Sequence, residues 1–327
     1  MVTGMLLGAS TIAFREQPLG RDVLTAMRDA GVESVELTDY HPEFQYHDLK
    51  PFETIRDLLE ELGLHLNSLH IHPAYWDKKD PYPGERLFGH IEEHGVTRDD
   101  VMDSAYRSAI DVMEVLGGGV LVTHDIALYG DRSEDEAPRQ FHLPNMSSMP
   151  PPYWDPDEPM SVGSSGGKTL IWDSLRWDGF VRNLQALAQY ATSKGVSFAL
   201  ENTPARHRYG RRGVFGDLVR SAFPFELKHL VMQVGEPNVG IVLDTGHRNL
   251  IGDVAAAVRL FADHLISLHI HDNGGAADEH LLPGRGVIDW NECVQALRDV
   301  KYGGVFMYEL QRPEDLAEIR ENFETLM

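Results

Sequence analysis

The sequence predicts an α/β fold in which eight parallel strands alternate with eight helices and close into a (β/α)8 barrel. Short apolar runs alternate with helical patterns along the 327 residues, as expected for parallel strands buried on both faces. The last four runs each end in an acidic residue or a histidine. Parallel barrels carry their functional side chains at this carboxyl end of the strands. We therefore expect a single TIM-barrel domain spanning residues 1–327.

The first half of the chain supplies four predicted strands and three predicted helices. The strands cover residues 6–12, 34–38, 64–71 and 119–123. The helices cover residues 18–30, 51–62 and 97–116. Gly31 and Gly63 end the first two helices, because glycine readily adopts the left-handed conformation that follows a helix. Thr97 is a suitable N-cap for the third helix, whose first turn contains aspartates.

A long insertion follows the fourth predicted strand. Residues 126–177 are rich in proline and include the glycine-serine run 163–167. The strand-helix pattern resumes afterwards, so this segment is an insertion within one domain rather than a linker between two. A loop of this length in a compact domain is usually functional or disordered. Its aromatic residues favour a lid or a subunit contact.

The second half of the chain repeats the strand-helix pattern. The predicted helices cover residues 177–194, 225–234, 253–263, 290–300 and 313–326. The predicted strands lie within 196–202, 239–247 and 265–272, and the eighth covers 305–310. Side chains alternate between the two faces of a strand. If Glu201 points into the barrel, Phe198 and Leu200 therefore point outward onto the helices.

Composition limits the classes of function. The net charge is −22, from 29 basic and 51 acidic residues, and an acidic surface disfavours extended contact with nucleic acid. A single cysteine, Cys293, excludes an intramolecular disulfide and is consistent with a reducing compartment. The apolar run 5–14 is too short to span a bilayer. We expect a cytoplasmic protein with no membrane contact, and we leave homo-oligomerisation open.

Four strand ends predict a metal site. Glu201, Asp244, His269 and Glu309 end the last four predicted strands, and their side chains are expected to converge at the barrel mouth. Any one of them alone is more often a salt-bridge, helix-cap or hydrogen-bonded core residue than a metal ligand. Three carboxylates and one imidazole together suit Mn²⁺, Mg²⁺ or Co²⁺, with Zn²⁺ also compatible. We expect such a divalent metal and no organic cofactor.

Further histidines and an aspartate lie at the same predicted end of the barrel, as additional metal ligands or as substrate contacts. They are His72, His124, His247, His271, Asp278 and His280. His70 has the same strand parity as His72, and His271 has that of His269. The sequence therefore leaves open which histidine of each pair faces the site.

Several motifs resemble one known family. They are Leu200-Glu201-Asn202, Leu243-Asp244-Thr245-Gly246-His247, His269-Ile270-His271-Asp272-Asn273, residues 278–286 and Tyr308-Glu309. In these motifs the chain is similar to the xylose-isomerase-like barrel superfamily, which includes sugar-phosphate isomerases and epimerases, inosose dehydratases and endonuclease IV. The resemblance covers nearly the whole chain except residues 126–177. Arg285 stands where the family often has glutamate.

The epimerase branch implies a metal-dependent isomerase or epimerase of a small sugar, polyol or sugar derivative. In that branch Glu201, Asp244, His269 and Glu309 would bind one divalent ion. The two glutamates would also act as the acid-base pair, with one removing a proton and the other returning one to the opposite face. His247 and a loop arginine, Arg206 or Arg285, would hold sugar hydroxyls or a phosphate.

The endonuclease IV branch implies a different chemistry, in which nine ligands bind three zinc ions. The matching positions are His72, His124, Glu201, Asp244, His247, His269, Asp278, His280 and Glu309. A multinuclear hydrolase of a phosphodiester or another ester is therefore the alternative hypothesis. The acidic charge and the proline-rich insertion argue against a DNA substrate. A dehydratase or lyase that uses the same metal site is also compatible with the motifs.

Overall fold

The predicted barrel is present in the computed structural model, which describes residues 4–41, 44, 46, 48–71, 98–123, 174–202 and 224–327. The strands are β1 (Leu6–Ser10), β2 (Ser34–Thr38), β3 (His65–Ile71), β4 (Gly119–Thr123), β5 (Val196–Glu201), β6 (Val239–Asp244), β7 (Leu265–His269) and β8 (Val305–Tyr308). The helices are α1 (Arg21–Asp29), α2 (Lys50–Leu62), α3 (Arg98–Val115), α4 (Ser174–Thr192), α5 (Pro224–Val234), α6 (Thr245–Asn249), α7 (Val254–Phe261), α8 (Trp290–Asp299) and α9 (Ile319–Leu326). Single 3-10 turns cover Thr11–Phe14, Ala262–His264 and Pro313–Glu318.

The eight strands form one closed parallel sheet. Their order is β7-β6-β5-β4-β3-β2-β1-β8, so each strand pairs with its neighbours in the chain. Ile270 closes the ring, because its amide donates to Met307 O at 2.7 Å and its carbonyl accepts from the Glu309 amide at 3.1 Å. All carboxyl ends therefore lie at the same mouth of the barrel.

The two faces of the sheet are packed differently, as the predicted alternation requires. Phe198, Leu200 and the other outward residues of the strands lie in one large apolar cluster with the helices. Inside the barrel a small separate cluster contains Val122, Ala199 and Val242. Ala199 and Val242 precede Glu201 and Asp244 by two positions, so these carboxylates point inward above an apolar layer.

Several element boundaries differ from the predicted ones. Strand β1 ends at Ser10, because the Ser10 hydroxyl accepts from the Ile12 amide at 3.3 Å and begins a 3-10 turn. Helix α4 begins at Ser174, inside the segment that the sequence assigned to the insertion. Helix α6 was not predicted and starts directly after β6. Thr97 and residues 126–173 lie outside the described residues.

Two further observations concern membrane-spanning helices and the reactivity of the single cysteine. Among the described residues, no helix combines the length and the apolar character needed to cross a membrane. Cys293 is buried within α8, and burial raises the pKa of its thiol to about 12. A thiol with so high a pKa is a packing residue rather than a nucleophile at neutral pH.

Candidate active site

The four predicted metal ligands meet at the barrel mouth. Glu201, Asp244 and His269 are the last residues of β5, β6 and β7, Glu309 follows β8, and all four are buried. His269 Nδ1 lies 3.2 Å from Glu201 Oε2 and 3.6 Å from Glu309 Oε1. Ligand atoms of Glu201, Asp244 and His269 lie within 4.8 Å of one another.

Asp244 occupies a fixed position in this group. Its Oδ1 accepts from the His247 amide at 2.6 Å, which caps helix α6, and its Oδ2 accepts from His271 Nε2 at 3.0 Å. Burial opposes a charge on Asp244, but the neighbouring His247 and His271 outweigh burial and lower the pKa of the Asp244 carboxyl. Asp244 is thus an oriented carboxylate at the start of a helix, where negative charge is favoured.

Asn202 joins the ends of β5 and β6. Its amide group donates to Asp244 O at 2.9 Å and accepts from the Asp244 amide at 2.8 Å. Its backbone carbonyl accepts from His247 Nδ1 at 2.9 Å. These bonds explain why asparagine follows Glu201, because its side chain extends the strand pairing beyond the last ladder residue.

A second group of ligand types adjoins the first. Asp278 Oδ2 lies 3.3 Å from His247 Nε2 and 3.2 Å from His280 Nε2. The rings of His271 and His280 are stacked, with their centroids 3.9 Å apart. Burial opposes charge on His280, but the hydrogen bond to Asp278 outweighs it and raises the pKa of His280 to about 9. This group is built from α6 and from the loop after β7.

Both histidines of the β7 pair face the site, and the choice of a metal ligand between them stays a prediction. His269 faces Glu201 and Glu309, while His271 faces Asp244. Gly246 makes room for His271, because a Cβ at this glycine would lie 1.9 Å from His271 Cε1. The glycine of the Asp-Thr-Gly-His motif is therefore required by packing.

The loop after β7 is anchored by one buried carboxylate. Asp272 accepts from the amides of Asn273, Gly284 and Ile288 and from the indole nitrogen of Trp290. A Cβ on Gly286 would lie 2.2 Å from Asp272 Oδ1, so this position needs glycine. The backbone of Asp272 also pairs with that of Leu281, at 2.7 and 2.8 Å. The carboxylate thereby fixes the loop that carries Asp278 and His280.

Glu36 is a site residue that the strand-end pattern did not identify, and His70 is the residue that the sequence left as an alternative to His72. Glu36 Oε2 accepts from Ser68 Oγ at 2.8 Å and from His269 Nε2 at 2.9 Å. His70 lies between the glutamates, with Nε2 at 3.3 Å from Glu201 Oε2 and Nδ1 at 3.5 Å from Glu309 Oε1. The available signal for Glu36 was an acidic residue between the apolar Val35 and Leu37 of a strand.

The remaining predicted site residues are two arginines and two histidines, of which the structure describes only Arg285. Arg285 donates to Asp315 Oδ1 at 2.8 Å and to Glu318 Oε1 at 2.7 Å, so its guanidinium is held by two carboxylates. Its assignment to substrate stays a prediction. His72, His124 and Arg206 lie outside the described residues.

The donor set fits a divalent cation. Glu36 Oε1, His269 Nδ1 and Asp278 Oδ1 are buried and have no hydrogen-bond partner among the described residues. Burial, opposed by His269 and His280, raises the pKa of the Glu309 carboxyl to about 8. Clustered buried carboxylates are costly without a counter-charge, and a bound cation removes that cost. Carboxylates mixed with imidazoles suit Mn²⁺, Co²⁺ or Zn²⁺.

Sequence relatives match part of the chain. An uncharacterized protein of Methanocaldococcus jannaschii is 32% identical over 141 residues, which is 42% of this chain and 45% of that protein. A D-psicose 3-epimerase of Enterocloster bolteae is 33% identical over 158 residues, or 48% of this chain and 44% of the enzyme. The chain thus spans about half the length of the curated relatives it matches.

Solved structures share the fold over nearly the full chain. A D-tagatose 3-epimerase-like protein superposes with a TM-score of 0.62 at 19% identity, covering 98% of this chain and 97% of that one. D-Psicose 3-epimerase from Clostridium cellulolyticum H10 superposes with a TM-score of 0.59 at 19% identity, covering 94% and 85%. At this identity the likeness establishes the fold alone.

The family itself is established by the sequence pattern rather than by these superpositions. The family model matches residues 24–326, which include all the site residues described above, from Glu36 on β2 to Glu309 after β8. The chain therefore belongs to the xylose isomerase-like TIM barrel family.

Proposed function

We propose that the protein is a divalent-metal-dependent isomerase or epimerase of a small sugar, polyol or sugar derivative. The observation that carries this proposal is the pairing of Glu201 and Glu309 around two shared imidazoles. Both carboxylates lie within 3.6 Å of His269 Nδ1, and both lie within 3.5 Å of a nitrogen of His70. The relatives named as D-psicose 3-epimerases support a ketose as the substrate class.

Glu201, Asp244, His269 and Glu309 would hold the metal ion. When bound, the ion polarises a carbonyl and an adjacent hydroxyl, which acidifies the neighbouring C–H bond.

Proton transfer is the part assigned to the two glutamates. One glutamate, ionised, removes the proton from the acidified carbon, and the other, protonated, returns its own proton to the opposite face, which inverts that carbon and exchanges the protonation states of the two glutamates. Burial excludes bulk water from both groups during the transfer, and they exchange protons with solvent between turnovers. In the metal-free protein the raised pKa of Glu309 makes it the partner that carries a proton at neutral pH.

His247 would bind a substrate hydroxyl. Its Nδ1 is fixed by the Asn202 carbonyl, and its Nε2 faces Asp278 at 3.3 Å. Burial opposes charge on His247, but Asp244 outweighs burial and raises the pKa of His247 well above its ordinary value. A charged imidazole donates strong hydrogen bonds, and a substrate oxygen would take the place of Asp278 at Nε2.

Deuterium exchange tests this function. The metal-loaded protein is incubated in D₂O with D-psicose, D-tagatose and their C3 epimers, and carbon-bound deuterium is measured by NMR. We expect exchange at one carbon with the wild-type protein and a loss of about 10²–10⁴-fold in Glu201→Gln and Glu309→Gln. No exchange with any ketose, together with normal metal content, would contradict the proposal.

The ligand group around Asp278 favours one alternative function, a multinuclear hydrolase. Asp244, His247 and His271 form one set of close ligand atoms, and His271, Asp278 and His280 form another. A centre with two or three zinc ions that hydrolyses a phosphodiester or another ester would use these residues. Elemental analysis separates the two functions, because one ion per chain supports the epimerase and two or more support the hydrolase.

A further inference from the structure

We infer that Glu36 is the positioning residue of the metal centre, because it holds His269 with Nδ1 directed at Glu201 and Glu309. This inference rests on the metal-dependent function proposed above. Glu36 does not belong to the four predicted ligands and lies in the middle of β2. Its role is to select which nitrogen of His269 is presented to the cation.

The geometry at His269 separates the two ring nitrogens. Nε2 donates to Glu36 Oε2 at 2.9 Å, whereas Nδ1 lies 3.2 Å from Glu201 Oε2 and has no hydrogen-bond partner among the described residues. A hydrogen bond at one ring nitrogen fixes the proton there and leaves the lone pair on the other. In the neutral imidazole that a metal ion requires, the bond to Glu36 therefore directs the Nδ1 lone pair at the carboxylate cluster.

Ser68 holds Glu36 in turn. The Ser68 hydroxyl donates to Glu36 Oε2 at 2.8 Å, and these two residues are register partners on β2 and β3. Glu36, Ser68 and His269 are all fully buried inside the barrel. Side chains in such an interior have few alternative rotamers, so the imidazole plane is fixed as well as its tautomer.

Stability alone does not explain a carboxylate at this position. A buried pair of ionisable groups has a large desolvation cost, and apolar residues of similar volume in place of both partners are often neutral or stabilising. A carboxylate that accepts a proton from a metal-binding histidine raises the basicity of the ligand nitrogen. The expected benefit of pairing Glu36 with His269 is therefore metal affinity.

The test compares metal affinity with stability in Glu36→Gln. Mn²⁺ and Co²⁺ are titrated calorimetrically into metal-free wild type and variant, and the visible spectrum of the Co²⁺ form reports the ligand geometry. We expect affinity to fall about 10–100-fold and the Co²⁺ spectrum to change, in a variant that still unfolds cooperatively in urea without metal. Affinity within twofold of the wild type with an unchanged spectrum overturns the inference.

Two control variants separate this role from general effects. Ser68→Ala removes the second bond to Glu36 but keeps the bond to His269, so its loss of affinity should be smaller than that of Glu36→Gln. An equal or larger loss of affinity in Ser68→Ala would show that any disturbance of the barrel interior weakens metal binding, and it would overturn the inference. Glu292→Gln removes an exposed carboxylate that pairs with Arg259, and it should leave affinity unchanged.

A measurement on the wild-type protein shows which nitrogen of His269 carries the proton, even if the Glu36→Gln variant does not fold. In the Zn²⁺-loaded protein labelled with ¹⁵N-histidine, long-range proton-nitrogen spectra identify which nitrogen of His269 carries the proton. The signals that disappear in His269→Gln are those of His269. A proton on Nε2 supports the inference, and a proton on Nδ1 overturns it. Wild-type protein that binds no divalent metal removes the proposed function and this inference together, whereas normal binding with a proton on Nδ1 removes the inference alone.

Discussion

The amide of His247 donates to Asp244 Oδ1 at 2.6 Å, so one carboxylate both begins helix α6 and faces the ligand cluster. The second oxygen of Asp244 accepts from His271 at 3.0 Å. Asp244 therefore belongs both to the N-terminus of α6 and to the predicted metal site. Substitutions of Asp244 can separate its capping role from its role as a ligand.

Asp244→Asn should keep the helix cap and lose the metal. Asparagine is as good an N-cap as aspartate, and alanine costs about 0.5–2 kcal/mol at such a position. Neutral His271 can accept from the new amide at Nε2, because its Nδ1 has no hydrogen-bond partner among the described residues. Urea unfolding should place Asp244→Ala about 1 kcal/mol below Asp244→Asn, while calorimetry shows strongly weakened metal binding in both.

Asp253 provides the matched control for that comparison. Its side chain accepts from the Ala256 amide at 3.1 Å and caps α7 at an exposed site. Asp253→Ala should cost a similar unfolding free energy with unchanged metal affinity. Full metal affinity in Asp244→Asn would show that Asp244 is a structural cap and not a ligand.

Gly246→Ala should disturb the site through His271. The added methyl group would lie 1.9 Å from His271 Cε1, so the imidazole must move away from Asp244. Overpacking of this kind costs about 1–3 kcal/mol, and we expect weaker metal binding as well. Gly303→Ala is the control, because nothing lies within 4 Å of its Cβ position. Equal metal affinity in both variants would contradict the assigned packing role.

The unfolding free energy of the metal-free protein should fall as the pH rises from about 6.5 to about 9. Burial raises the pKa of Glu309 to about 8, and Asp278 overcomes burial to raise that of His280 to about 9. The pKa values of His247 and His269 are also raised, by Asp244 and by Glu36 respectively against the effect of burial. In this pH window the folded state therefore binds more protons than the unfolded state, so stability decreases with pH.

Urea unfolding in the presence of a chelator, at several pH values, checks this slope. His280→Gln should flatten it between about pH 6.5 and 9, because one of the groups that releases a proton is gone. Saturating metal should flatten it further, since bound ligands are already deprotonated. A stability that rises with pH over the same window would contradict the assigned charge arrangement.

The fold was predictable because each buried strand leaves a local trace in the sequence. A parallel strand covered on both faces needs an uninterrupted apolar run, and a glycine often marks the end of the helix before it. All eight strands were located on this basis. The predicted end of β1 was wrong, because a hydrogen bond from the Ile12 amide to the Ser10 side chain decides it, and such a local bond has no periodic signature.

The site was only partly predictable, for a geometric reason. Residues at strand ends were found because the carboxyl ends of the strands meet at the barrel mouth, as Asp244 and His269 do in neighbouring register. Strands in a closed barrel are tilted and staggered, so the middle of one strand reaches the level of another strand's end. Glu36, two residues before the end of β2, contacts the last residue of β7 in this way. A single sequence without the barrel register cannot supply that contact.

Asp272→Asn should loosen the loop that carries Asp278 and His280. The carboxylate accepts four hydrogen bonds, and an asparagine side chain would direct its amide group at one or more of these donors. A buried donor left unsatisfied costs about 1–3 kcal/mol, so we expect a loss of about 2–4 kcal/mol in urea unfolding. Protease cleavage within residues 274–286 should accelerate as well.

Trp290→Phe is a milder variant to compare with Asp272→Asn. It removes the 2.8 Å hydrogen bond from the indole nitrogen to Asp272 and leaves the three backbone donors in place. Its unfolding free energy should fall by less than that of Asp272→Asn, and cleavage of the loop should stay near the wild-type rate. If Asp272 acts only through the loop, metal binding by Asp272→Asn weakens less than in Asp244→Asn, since Glu201, Asp244 and His269 are the last residues of strands outside that loop. Weakening as severe as that of Asp244→Asn would mean that the loop after β7 supplies a ligand of the primary metal ion.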